Sequence, residues 1–227
     1  MESRGQTWLA MVLVTVALGE LPIPAQGARL GPSPSLSQLL AAVQLTGAGV
    51  LTWLNRLTNG RIEPVGDAPE RLIAVTAHGD ILAEIDGAGS HVVLGATLDA
   101  RCLQPGAEIV LVHNHPSSTG LSPYDLGQLA KPGVRAIVAI GHDGSLYAAA
   151  AGPRYPGDQF VEHIYLPARA DAEGELRRVA ADTTDLRAFL PHVMSTALAQ
   201  ARVLEYQATF AAERQPHMTE IESRSDP

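Results

Sequence analysis

Apolar residues fall in short unbroken or alternating runs through the middle of the chain, and at helical spacing on either side. Arg71-Leu-Ile-Ala-Val-Thr76 and Ile81-Leu-Ala-Glu-Ile85 flank His78-Gly79-Asp80, the pattern of a β-hairpin. His91 to Leu94 predicts a third strand. Ile109 to Val112 is β-branched and apolar throughout, which predicts a buried strand. A second hairpin is expected from Arg135–Ile140 and Ser145–Ala150 around His142-Asp143-Gly144. Helical spacing appears over Leu36 to Leu57, through Leu39, Leu40, Val43, Leu51 and Leu54, with Gly47 and Gly49 weakening its middle. It returns over Asp171 to Ala212, through Leu186, Leu190, Val193, Ala197, Ala201 and Leu204. There Pro191 is expected to break the helix or to start a second one. Strands flanked by helices predict an α+β fold, α/β/α-like in its layering.

The same pattern divides the chain. In residues 1–30 an apolar run, Trp8 to Leu18, precedes Pro22, Pro24 and Ala25-Gln26-Gly27. This reads as a signal peptide or an anchor; Glu2 and Glu20 speak against a signal, and the alternatives are a packed helix or a single anchor. The chain is then expected to be cytoplasmic, or exported if residues 1–27 act as a signal. Residues 31–68 form a helical lead-in, 69–155 the central domain, 156–214 a C-terminal helical extension, and 215–227 a polar tail expected to be disordered.

Candidate chemistry lies where the buried strand ends, in Val112-His113-Asn114-His115-Pro116. Residues two apart on a strand point the same way, so His113 and His115 present two imidazoles together. Pro116 to Gly120 form a turn, and Ser122-Pro123-Tyr124-Asp125 opens a helix with Ser as N-cap and Pro at the first position. The turn brings Asp125 back toward the imidazoles. Two imidazoles and one carboxylate are three of the four ligands of a Zn²⁺ ion, with the fourth position left for water. Ser-Pro-x-Asp by itself is an ordinary helix start; the conjunction with His-x-His is what points to a metal.

The stretch resembles the JAMM (MPN-plus, JAB-type) metalloprotease motif, His-x-His, a spacer, then Ser-x-x-Asp. Its His-Asn-His-Pro-Ser opening is closest to the bacterial RadC-like and phage-associated JAB branch. The spacer, Pro116 to Leu121, has six residues where seven are usual. The resemblance covers roughly Pro69 to Ala151. It implies a JAB/MPN-type mixed sheet flanked by helices, zinc held by His113, His115 and Asp125, and Glu70 as general base. Glu84 is the competing base. Glu108, five positions before His113, would face the other way. Ser122 is implied as the donor to the oxyanion. The implied reaction is hydrolysis of a peptide or isopeptide bond in a protein or peptide substrate, a ubiquitin-like conjugate among the candidates. The alternatives are a JAB-fold binding or structural module, phage-derived or in an assembly, and a RadC-like protein with a DNA-related role.

Charge and cysteine usage narrow these readings. The net charge is −8 with a pI near 5.4, and Lys131 is the only lysine. A phosphate-backbone binder needs clustered positive charge, so no nucleic-acid partner is expected. Cys102 is the only cysteine, which excludes an internal disulfide and any Cys-based zinc finger. The remaining histidines, His142, His163, His192 and His217, read as turn, surface or packing residues. Tyr124 and Tyr147 are candidates to line a cleft. The pattern leaves the oligomeric state open.

Overall fold

The computed structural model describes residues 34–61, 69–88, 91–179, 183–212 and 214. The signal or anchor segment and the polar tail lie outside the described residues. The expected α+β architecture is present: one mixed six-stranded sheet with helices on both faces. Its strands are β1 (Arg71–Thr76), β2 (Ile81–Asp86), β3 (Ile109–His115), β4 (Val134–Gly141), β5 (Leu146–Ala151) and β6 (Leu204–Thr209). They lie in the order β2-β1-β3-β4-β5-β6. Only β3 and β4 run parallel, from Ile109↔Val134 to His115↔Gly141. Both sequence-predicted hairpins form, β1–β2 and β4–β5.

β3 is buried along its whole length, as its apolar run demands. Burying each such side chain contributes roughly 1.5–3 kcal/mol. Its residues alternate between two cores. Val110 and Val112 pack with Ile73, Val75, Ala136 and Val138 under helices α1 (Leu36–Ala42) and α2 (Ala48–Leu57). Ile109 and Leu111 face the opposite core, with Leu72, Ala74, Leu121 and Leu126. That side is covered by α3 (Ala96–Cys102), α4 (Pro123–Gly127), α5 (Leu166–Val179) and α6 (Thr183–Gln200).

Four expectations are corrected. The Leu36–Leu57 helix is two helices; the chain turns between them through Gln44 and Gly47, both at positive φ. His91–Leu94 is not a strand. Val92 and Leu94 do pack on the core while His91 and Val93 are exposed, so the alternation is real, but no neighbouring strand takes up the ladder. The segment leads into α3, which the sequence reading did not separate. Pro191 neither ends α6 nor starts a helix; it sits inside it. An interior proline costs about 3 kcal/mol, and here Pro191 is held against the Gly120 turn.

The fourth correction concerns Leu204, read as helical, which begins β6. Leu204, Tyr206 and Ala208 turn to the core, while Glu205 accepts from the Leu36 N–H (3.1 Å) and Gln207 from the Ser37 hydroxyl (3.1 Å). Period two replaces period 3.6 because β5 offers an open edge, paired from Leu146↔Thr209 to Ala151↔Leu204. Among the described residues, no helix is long and apolar enough to cross a membrane.

His192 on α6 lies between the Tyr206 and Phe210 rings and bonds the Tyr206 hydroxyl (3.0 Å). Removal from water pushes its pKa down to about 4. The unfolded chain therefore binds a proton there that the folded protein refuses, and this contribution to stability is lost as pH falls from about 6.5 to about 4. Relative to His192→Gln, the wild type should lose stability on acidification across this window, with a slope below about 1.4 kcal/mol per pH unit. Urea denaturation of both proteins at several pH values measures it.

Candidate metal centre

The site forms where β3 ends. His113 and His115 share the face of Ile109 and Leu111, and both are buried. Their Nε2 atoms lie 2.8 Å apart. Asp125, from the first turn of α4, places Oδ1 3.4 Å from His113 Nε2 and Oδ2 3.5 Å from His115 Nε2. These are the ligand-type groups that the described residues bring together. A tetrahedral ion with ligand bonds of about 2.0–2.2 Å has ligand–ligand edges of about 3.3–3.6 Å. Two edges of this triangle meet that value and the third is slightly short. The donor set of two imidazoles and a carboxylate suits zinc.

Local structure sets each ligand. The Nδ1–H of His115 donates to the Thr119 carbonyl (2.9 Å), which leaves its Nε2 lone pair facing His113 and Asp125. In the neutral pair, the 2.8 Å contact then needs the proton of His113 Nε2, and a metal ion would displace it. Asp125 is aimed by a capping box. Its Oδ2 accepts the Ser122 N–H (2.7 Å), and its own N–H donates to Ser122 Oγ (3.2 Å). The Tyr155 hydroxyl donates to the Leu126 carbonyl (2.8 Å) and anchors α4 from below. Burial works against the charged Asp125 carboxylate, but the two imidazoles outweigh it and hold its pKa well below the usual range.

The six-residue spacer closes this short distance through Ser118, which takes a left-handed φ of 54°. Its carbonyl accepts from the Tyr147 hydroxyl (3.1 Å) and from the Arg214 guanidinium, and its hydroxyl accepts the Asp143 N–H (3.1 Å). Arg214 in turn pairs with Asp143 (3.0 Å). The β4–β5 turn and the chain after β6 thus grip the loop from behind.

Glu70 precedes β1 in the same alternation as Leu72 and Ala74, on the histidines' side of the sheet. Its half-buried carboxyl lines the cleft that contains the three ligands. Burial is the main cause that raises its pKa to about 7; the His115 charge lowers it and Asp125 raises it. Glu84 stands opposite Ile73, whose side chain lies in the α1–α2 core, so Glu84 turns away from the histidines. There it pairs with Arg56 (2.5 Å) and Arg71 (2.7 Å). Glu108 pairs with Arg135 (3.6 Å) ahead of β3. Ser122 lines the cleft beside Asp125. Tyr124 stands exposed at the rim, whereas Tyr147 is buried behind the loop. His142 is the turn residue expected, yet it is buried and bonded to Asn114.

The cleft measures about 1470 Å³ and runs from the ligands past Val93 and Tyr124 to Arg169 and Arg177 on α5. Sequence reasoning missed α5 as a wall, and it missed Thr119, Ser118 and Arg214 as supports. No local pattern marks α5 or Arg214, which act from far along the chain, and the parts played by Ser118 and Thr119 depend on how the loop folds. No family model, no curated protein and no solved structure matches the chain. The molecule is a mixed α+β fold holding a His-His-Asp cluster capable of ligating a metal ion.

Two outcomes follow from this geometry. A Cβ at Gly141 would stand 2.5 Å from Asp143 Oδ1 and 2.9 Å from Ser118 Cβ. Gly141→Ala should cost about 1–3 kcal/mol and, by displacing the loop, weaken any metal ion's hold on the His-His-Asp cluster, read by denaturation and by metal titration. Glu70 has a folded pKa above its unfolded one, so its contribution in the metal-free protein is full below about 4.5 and is lost as pH rises through about 7. Glu70→Gln should therefore gain stability over the metal-free wild type across that rise, as chemical denaturation in chelator would show.

Proposed function

We propose that the protein is a JAMM-type zinc metallopeptidase or isopeptidase. The observation that carries this reading is the convergence of His113 Nε2, His115 Nε2 and the Asp125 carboxylate on one wall of a cleft that Glu70 also lines. Zinc held by His113, His115 and Asp125 would supply a water acidified toward a pKa of about 7 and a Lewis acid for the substrate carbonyl. Glu70 takes a proton from the attacking water and returns it to the leaving amine. In the metal-free protein burial already raises the Glu70 carboxyl toward about 7, so it is a weaker acid than an exposed glutamate. Ser122 accepts the Asp125 N–H at its oxygen, which leaves the hydroxyl hydrogen to donate to the carbonyl oxygen as charge develops. Such a donor is worth about 2.7–4 kcal/mol in the transition state.

Cleft size supports a polypeptide substrate, since its volume of about 1470 Å³ exceeds the roughly 300–1,000 Å³ of small-molecule sites. Exposed Val93 and Tyr124 give the rim apolar contacts for an extended segment. Elemental analysis should find zinc in the wild type and in Glu70→Gln, and none in Asp125→Ala. A cleavage screen against peptide and isopeptide substrates should show activity lowered at least about 100-fold in Glu70→Gln. A protein that binds no zinc would sink the reading. Zinc without cleavage would leave a binding module.

A further inference from the structure

The middle residue of the histidine pair makes no contact with the ligand triangle that the reading above uses. Asn114 alternates onto the opposite face of β3 and is buried to 1% exposure. Its amide is committed on three sides. Oδ1 accepts the Arg71 N–H (2.7 Å), Nδ2 donates to the Pro69 carbonyl (3.3 Å), and Nδ2 also meets His142 Nε2 (3.0 Å). Only one orientation of the amide serves both an N–H donor and a carbonyl acceptor, so its oxygen and nitrogen are unambiguous. Pro69 and Arg71 are the two neighbours of Glu70.

The backbone ladder explains why a side chain is needed there. β1 pairs with β3 from Thr76↔Ile109 to Leu72↔His113 and no further. β3 continues alongside β4 to His115↔Gly141. Glu70 therefore lies just past the point where β1 leaves β3; its carbonyl still accepts the Gly87 N–H (2.8 Å) on the β2 side, but no ladder bond joins it to β3. We propose that Asn114 is the positioning residue for Glu70: its amide replaces the missing β3-side ladder bonds at both neighbours of that residue and ties the base to the strand that carries both histidines. This rests on the reading of Glu70 as the base. His142 sits behind the amide and takes its second N–H.

Asparagine suits this position because it carries a donor and an acceptor on a side chain short enough to mimic a backbone amide. Alanine would leave the Arg71 N–H and the Pro69 carbonyl without these bonds. The geometry of Glu70 would loosen, and the ligands would keep theirs.

The test uses the zinc-loaded full chain. Asn114→Ala should retain zinc, keep KM, and lose kcat by about 10–100-fold, the usual cost of removing a supporting partner. Its Arg71 amide should exchange with solvent at least about tenfold faster, while amides of the β1–β3 ladder stay protected. Joined to Glu70→Gln, it should add no further loss, because the two act as one unit. Zinc loss in Asn114→Ala, unchanged Arg71 exchange, or losses that multiply in the double variant would each overturn the proposal. Should Asn114→Ala not fold, Asn114→Asp keeps the acceptor for Arg71 and gives up the donor to Pro69. Arg71 protection should then survive with a smaller loss of kcat, and its disappearance would overturn the proposal. If the wild type cleaves no substrate, the reading of function fails, and Arg71 exchange still decides whether Asn114 holds the segment.

Discussion

Alternation along one buried strand is the constraint on which everything else depends. β3 is enclosed between β1 and β4 and between two helical layers, so none of its side chains reaches bulk water freely. Apolar residues satisfy that demand up to Val112. His113, Asn114 and His115 do not, and each must find polar partners or remain neutral. Alternation sorts them: the imidazoles go to the cleft side and the amide to the other. Two buried imidazoles so close together favour a carboxylate beside them, and Asp125 is the one that the next helix delivers.

Delivering that carboxylate is mostly a matter of backbone hydrogen bonds. The spacer is one residue shorter than the resembling motif, yet the capping box at Ser122 and Asp125 closes and the ligand atoms still meet. The tight loop needs a residue in the left-handed region, and Ser118 occupies it with three partners from β4–β5 and from Arg214. Gly120 packs directly on Pro191 and His192 of α6. Segments far along the chain therefore set the shape of a loop that looks self-contained in the sequence.

Much of this was legible in the residues. The two hairpins, the buried strand and the helix start at Ser122-Pro123 follow from local pattern, because each is decided by its own turn or cap. Errors arose where a neighbour decides. His91–Leu94 has the alternation of a strand and no strand beside it. Leu204–Thr209 has apolar residues that fit a helix, and an open sheet edge claims them instead. Between Glu70 and Glu84, sequence distance carries no information about facing; register does, since Glu84 is opposite Ile73 and turns to the α1–α2 side.

The sequence by itself determined the candidate ligands, because two histidines two apart on a strand and an aspartate in the first turn of the next helix are local facts. It also determined the class of the fold, through the period of its apolar positions. Only the tertiary structure decided which acid shares the cleft, which residues grip the loop, and that Asn114 reaches back to the segment carrying Glu70. The reason is physical: local bonding reaches only a few residues along the chain, whereas strand register, burial and the raised pKa of Glu70 depend on segments that meet only in the folded state.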